Sequence, residues 1–133
     1  MTPPINNNTW MEGLIIHGDG RGRKLGFPTA NIQLNEDPPS DGIYACWARL
    51  SDGELYQAVL HVGPRPTFPG ARNSVELHLL NFPDQDLYGQ ATSFLCVQKM
   101  REVTKFNSSS DLSLAIRHDC EKAQQILENS KFD

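Results

Sequence analysis

The chain has 133 residues and a mass of 14.9 kDa, room for one hydrophobic core and therefore one domain. Twelve Lys and Arg against 16 Asp and Glu give a formal net charge of −4, which excludes sequence-independent nucleic-acid binding through a broad basic face. The longest apolar run, residues 43–48, is far short of the roughly 20 residues a membrane helix needs, and residues 1–9 lack a signal-peptide core. A soluble, cytoplasmic protein with neither membrane nor nucleic-acid partner is expected.

The leader MTPPINNNT, residues 1–9, offers no periodic apolar face and is expected to be flexible, so the domain is taken as residues 10–133. A β-type vocabulary follows, in short branched and aromatic stretches cut by Gly, Pro, Asn and Asp. The predicted strands are Trp10 to His17, Ala30 to Leu34, a hairpin over Gly42 to Val62, Ser74 to Leu80, and Ala91 to Met100. The hairpin turns at Ser51 to Glu54, around an Asp-Gly pair. About six strands without helical crossovers imply an antiparallel sheet, best satisfied by a closed or nearly closed barrel, with a sandwich as the alternative.

The period changes after Phe106. Leu112, Ile116, Cys120, Ala123 and Leu127 fall on one stripe of a helix from Ser109 to Glu128, and Ser108 with Asp111 fits a capping pattern at its start. This helix is expected to pack on the barrel. Three widely spaced cysteines, Cys46, Cys96 and Cys120, fit neither a disulfide framework nor a CxxC metal site and read as buried thiols.

Several segments carry chemistry-bearing residues. Residues 18–26, GDGRGRKLG, place Gly18, Gly20, Gly22 and Gly26 around Arg21, Arg23 and Lys24, a local cationic anomaly in an acidic chain. Glycines let backbone amides approach an anion, and cations lower the cost of holding phosphate charge. Neither a Walker loop nor a dinucleotide fingerprint is present, and a glycine-rich hairpin tip is the competing reading. In FPTAN, Thr29 and Asn31 are two residues apart and share a side of an extended segment. A hydroxyl and an amide so placed suit Mg²⁺ and phosphate, although a Pro-initiated turn with a capping Thr would use the same residues.

In SVELHLL, alternation puts Glu76 and His78 on one face and Val75, Leu77 and Leu79 on the other. Glu76 is a candidate general base, against a solvated strand face or a pairing with Arg72. The Pro-rich segment 63–73, with Arg65, Phe68 and Arg72, reads as an exposed loop, and Asp86 to Gly89 as a turn. Residues 99–106, KMREVTKF, link the last strand to the helix, with Phe106 placed for the core or for covering a planar ligand.

Together these motifs resemble the riboflavin kinase family, the ATP:riboflavin 5′-phosphotransferases. GRGRKLGFPTANI at 20–32 looks like the family's signature loop, and DGIYA, VGPRPTF, VELHLLNF, DLYGQ and MREVTKF follow in family order. The resemblance covers about 10–127 and implies a mainly β fold, a six-stranded antiparallel Greek-key barrel with a C-terminal helix. It implies ATP as co-substrate, Mg²⁺ as cofactor, and riboflavin converted to FMN. The loop Gly18 to Gly26 would cover the nucleotide phosphates, and Thr29 and Asn31 would hold Mg²⁺ and the transferred group. Glu76 would be the base for the riboflavin 5′-hydroxyl, and Arg101, near Phe106, would lie in a flap over the flavin. His61 stands where the family usually has Asn. Many bacterial members are fused behind an FMN adenylyltransferase domain, so the chain is read either as a stand-alone kinase or as a module of a parent protein that carries such a domain. The alternative of the same fold is a non-catalytic flavin-binding regulatory module, which has no need of metal ligands and base together.

Overall fold

In LYQAVLHVG every second residue is apolar and small enough to line a narrow interior, and Ala58, Leu60 and Val62 are fully buried. This segment is one of six strands of the computed structural model, which describes residues 10–16, 29–63, 74–83 and 86–130. They are β1 (Met11–Ile16), β2 (Ala30–Leu34), β3 (Gly42–Leu50), β4 (Leu55–Gly63), β5 (Ser74–Leu79) and β6 (Ala91–Arg101). Helix α1 (Ser109–Glu128) follows. The expected leader, the glycine loop 18–26 and residues 64–73 lie outside the described residues.

All strand pairs are antiparallel, in a closed barrel ordered β1-β2-β5-β4-β3-β6. Strands β3, β4 and β5 form a meander, and β6 returns to lie beside β3, which is the Greek-key arrangement. The predicted hairpin turn is present. Gly53 adopts φ 85°, its N–H donates to the Leu50 carbonyl, and the Glu54 N–H donates to Asp52 Oδ1 at 2.8 Å. At the same end, the Tyr88 N–H donates to Asp86 Oδ1 and Gly89 has φ 85°, so DLYG is a turn as read.

Tyr44, Cys46, Leu60, Leu77, Phe94 and their neighbours fill the barrel interior. A second cluster on the outer face joins Ile43, Ala45, Val59 and Leu80 to Ala123 and Leu127 of α1. The helix starts as its sequence requires, with Ser108 Oγ accepting from the Asp111 N–H at 3.1 Å. Ala123 and Leu127 are buried, whereas Leu112, Ile116 and Cys120 are half-buried; the apolar contact is thus concentrated in the C-terminal half. Cys46 and Cys96 are buried and free, while Cys120 is less covered than expected because it lies at the rim of the second cluster.

Strand β6 carries two register shifts opposite Ile43/Tyr44 and Ala45/Cys46. Such bulges break alternation and re-aim side chains. Val97 and Met100 both pack toward α1, and Arg101 comes up opposite Ile43 within reach of the helix.

Candidate active site

Glu76 faces outward because its strand neighbours Val75 and Leu77 are committed to the interior. Its direct cross-strand partners are Asn31 on β2 and His61 on β4. The row continues through Ile43 to Arg101 and, on the other side, from Asn31 to Ile16. Strand stagger in a closed barrel makes such a row descend from one end to the other. Asn31 is near the end where β1 joins β2, Glu76 is mid-barrel, and Arg101 is where β6 leaves for α1.

Asn31 is buried at 7% exposure, and Glu76 is half-buried. Thr29 lies just ahead of β2, two residues before Asn31, and lines a cleft with Ala30 and Leu77. Asn31 and Glu76 are therefore brought side by side from β2 and β5. Thr29 and Asn31 supply two neutral oxygen donors, a set that suits a hard cation whose remaining ligands are water and ligand oxygens. Among the described residues there is no cluster of three His, Cys, Asp or Glu that would hold a metal by itself.

Strands β2 and β5 pair over only two registers, Ala30 with Leu77 and Asn31 with Glu76. An apolar cleft lies along this seam, lined by Thr29, Ala30, Leu77, Leu79, Phe82 and Leu87. The Phe82 ring is fixed by an edge-on contact with Tyr56, with centroids 5.0 Å apart. Thr29 thus stands at one edge of an otherwise apolar cleft.

At the opposite end, Arg101 is bound in a fork to Asp119 of α1, Nε to Oδ1 at 2.9 Å and Nη2 to Oδ2 at 2.7 Å. Its guanidinium also lies 5.6 Å from the Phe106 ring centroid and donates to the Glu102 carbonyl. The structure brings Arg101 and Phe106 together but keeps them apart from Glu76, three strands away or roughly 14 Å along the sheet. Gly18, Gly20, Arg21, Gly22, Arg23, Lys24 and Gly26 fall outside the described residues.

One residue of this region escaped the sequence reading. Asp119 is buried at 8% exposure on the helix side that packs on the barrel. An acidic residue three after Ile116 and four before Ala123, on the apolar stripe, was the available signal that a buried cation must face it. His61, noted in sequence as a departure from the family's usual Asn, has its Nδ1 3.9 Å from Glu76 Oε2, an adjacency visible only once register is known.

The family model for riboflavin kinase matches residues 5–127. The chain is 42% identical over 116 residues to the bifunctional riboflavin kinase/FMN adenylyltransferase of Haemophilus influenzae, covering 86% of this chain and 37% of that protein. It is 34% identical over 123 residues to human riboflavin kinase, covering 88% and 79%. Among solved structures, riboflavin kinase from Trypanosoma brucei superposes with a TM-score of 0.68 at 25% identity, covering 90% of this chain and 79% of that one. A Streptococcus pneumoniae chain described as a macrolide-efflux protein gives 0.78 at 32% identity, covering 86% and 38%. The chain spans under two fifths of the length of the bacterial bifunctional relatives it matches.

Proposed function

The chain belongs to the riboflavin kinase family, and on that footing we propose that it transfers the γ-phosphoryl group of ATP to the 5′-hydroxyl of riboflavin, giving FMN and ADP. The observation that carries this reading is the direct cross-strand apposition of Asn31 and Glu76. It sets a phosphate-handling pair and a carboxylate side by side, midway between the end where residues 17–28 join β1 to β2 and the end where β6 runs out toward α1.

Phosphoryl transfer needs little covalent chemistry from the protein beyond positioning, charge stabilisation and a base near the nucleophile. Glu76 accepts the proton of the riboflavin 5′-hydroxyl as that oxygen attacks the γ-phosphorus, and the bond to the β,γ-bridging oxygen breaks to release ADP. The Thr29 hydroxyl and the Asn31 amide oxygen would hold Mg²⁺, which supplies neutralisation of the phosphate charge. Gly18, Gly20, Gly22 and Gly26 give backbone access to the phosphates, with Arg21, Arg23 and Lys24 as counter-charges. Arg101, tied to Asp119, and Phe106 beneath its guanidinium form the start of the flap at the flavin end.

The bacterial relatives named as FMN adenylyltransferases as well, of which this chain spans under two fifths, favour a parent protein that carries such a domain. Dependence on ATP suits a cytoplasmic setting, and no described helix is long and apolar enough to cross a membrane.

Incubating the purified chain with riboflavin, ATP and Mg²⁺, with and without a chelator, and separating flavins by chromatography tests the reading. Several turnovers of FMN that vanish with the chelator are expected. Flavin retained by the protein without conversion would replace the kinase by a binding module.

A further inference from the structure

Beside the reacting carboxylate lies a polar group without a use. His61 Nδ1 is buried and has no hydrogen-bond partner among the described residues, although the side chain as a whole is 37% exposed. A buried ring nitrogen left unpaired costs free energy, so its persistence calls for a partner formed in another state. Glu76 Oε2 lies 3.9 Å away, just beyond hydrogen-bond range.

We propose that His61 is a positioning residue for Glu76, donating its Nδ1–H to Oε2 when the substrates are bound. The inference rests on the kinase reading above. Hydrogen bonds in catalytic groups are often long without substrate and shorten in the reactive complex. The backbone geometry already favours contraction, since His61 and Glu76 are direct cross-strand partners with Cβ atoms in the closest class of sheet neighbours. The ring lies close over Gly63, where an added Cβ would stand 3.0 Å from His61 Cε1, so the glycine leaves room for the imidazole beside Glu76. A donor on Oε2 fixes the carboxylate plane and leaves Oε1 for the substrate hydroxyl. The contact requires only a neutral imidazole in its Nδ1–H tautomer, which an adjacent carboxylate selects.

The test compares His61→Leu, His61→Asn and His61→Gln in steady-state FMN formation, after thermal melts establish that each variant is folded. An Asn amide places an N–H close to the position of imidazole Nδ1–H, whereas a Gln amide mimics Nε2. Losing a hydrogen bond to a charged group predicts a kcat about 10-fold lower for His61→Leu with KM for both substrates unchanged. Asn should restore kcat, and Gln should not. An unchanged kcat in His61→Leu, a raised KM in place of a lowered kcat, or equal losses in the Asn and Leu variants would overturn the proposal. Absence of FMN formation by the parent chain would instead overturn the kinase reading beneath it, so the two failures are separable.

Discussion

Glu76 acquires its chemistry from neighbours that are far away in sequence. Asn31 and His61 flank it at the level of the same rung, one from each adjoining strand. The cysteines show the opposite situation, in which surroundings silence a reactive group. Cys46 and Cys96 are cross-strand partners in the interior with sulfurs 3.4 Å apart, and burial pushes the Cys46 thiol well up. Cys120 is pushed up to about 11, chiefly by burial and then by the neighbouring charges of Asp119 and Glu121. Only thiolate alkylates readily, so iodoacetamide should leave the folded chain almost unmodified at neutral pH, with labelling of Cys120 rising as pH approaches about 11. Because the folded chain keeps this proton longer than the unfolded one, the associated stability is full below pH 9 and declines as pH rises through about 11. Rapid stoichiometric labelling of the native protein at neutral pH would contradict this account.

Where elements meet, the β6–α1 junction is the most specifically built. The bulge near Met100 turns Arg101 toward the helix, and Asp119 receives it in a fork while being buried itself. Asp119→Asn keeps the shape but removes the charge and one acceptor, so the domain should lose about 2 kcal/mol in urea unfolding. A change too small to measure would show the pair to be incidental. The elements themselves were legible in sequence because their signals are local: alternation in LYQAVLHVG, the Asp-Gly turn, and the stripe from Leu112 to Leu127. The bulges were not, since an extra residue in β6 has meaning only against the register of β3. Asp119 was overlooked for a related reason: its partner lies 18 residues away and was assigned to substrate.

Across the whole molecule, barrel closure converts sequence-distant motifs into one descending row. Thr29 and Asn31 sit near one end, Glu76 in the middle, and His61, Ile43 and Arg101 toward the other. Motif order alone placed Glu76 with Thr29 and Asn31 only through resemblance, because strand pairing between β2 and β5 skips two intervening strands. On the proposed reading, the row would let a small barrel take a nucleotide at one end and a flavin at the other with Glu76 as the base between them. Its central claim is that Glu76 takes part in transfer and not in holding the flavin. Replacing Glu76 by Gln, and measuring both FMN formation and riboflavin binding by quenching of flavin fluorescence, addresses this directly. The account predicts turnover lower by on the order of 10²–10⁴-fold with riboflavin affinity preserved. Turnover at the parent rate, or a loss confined to affinity, would contradict it.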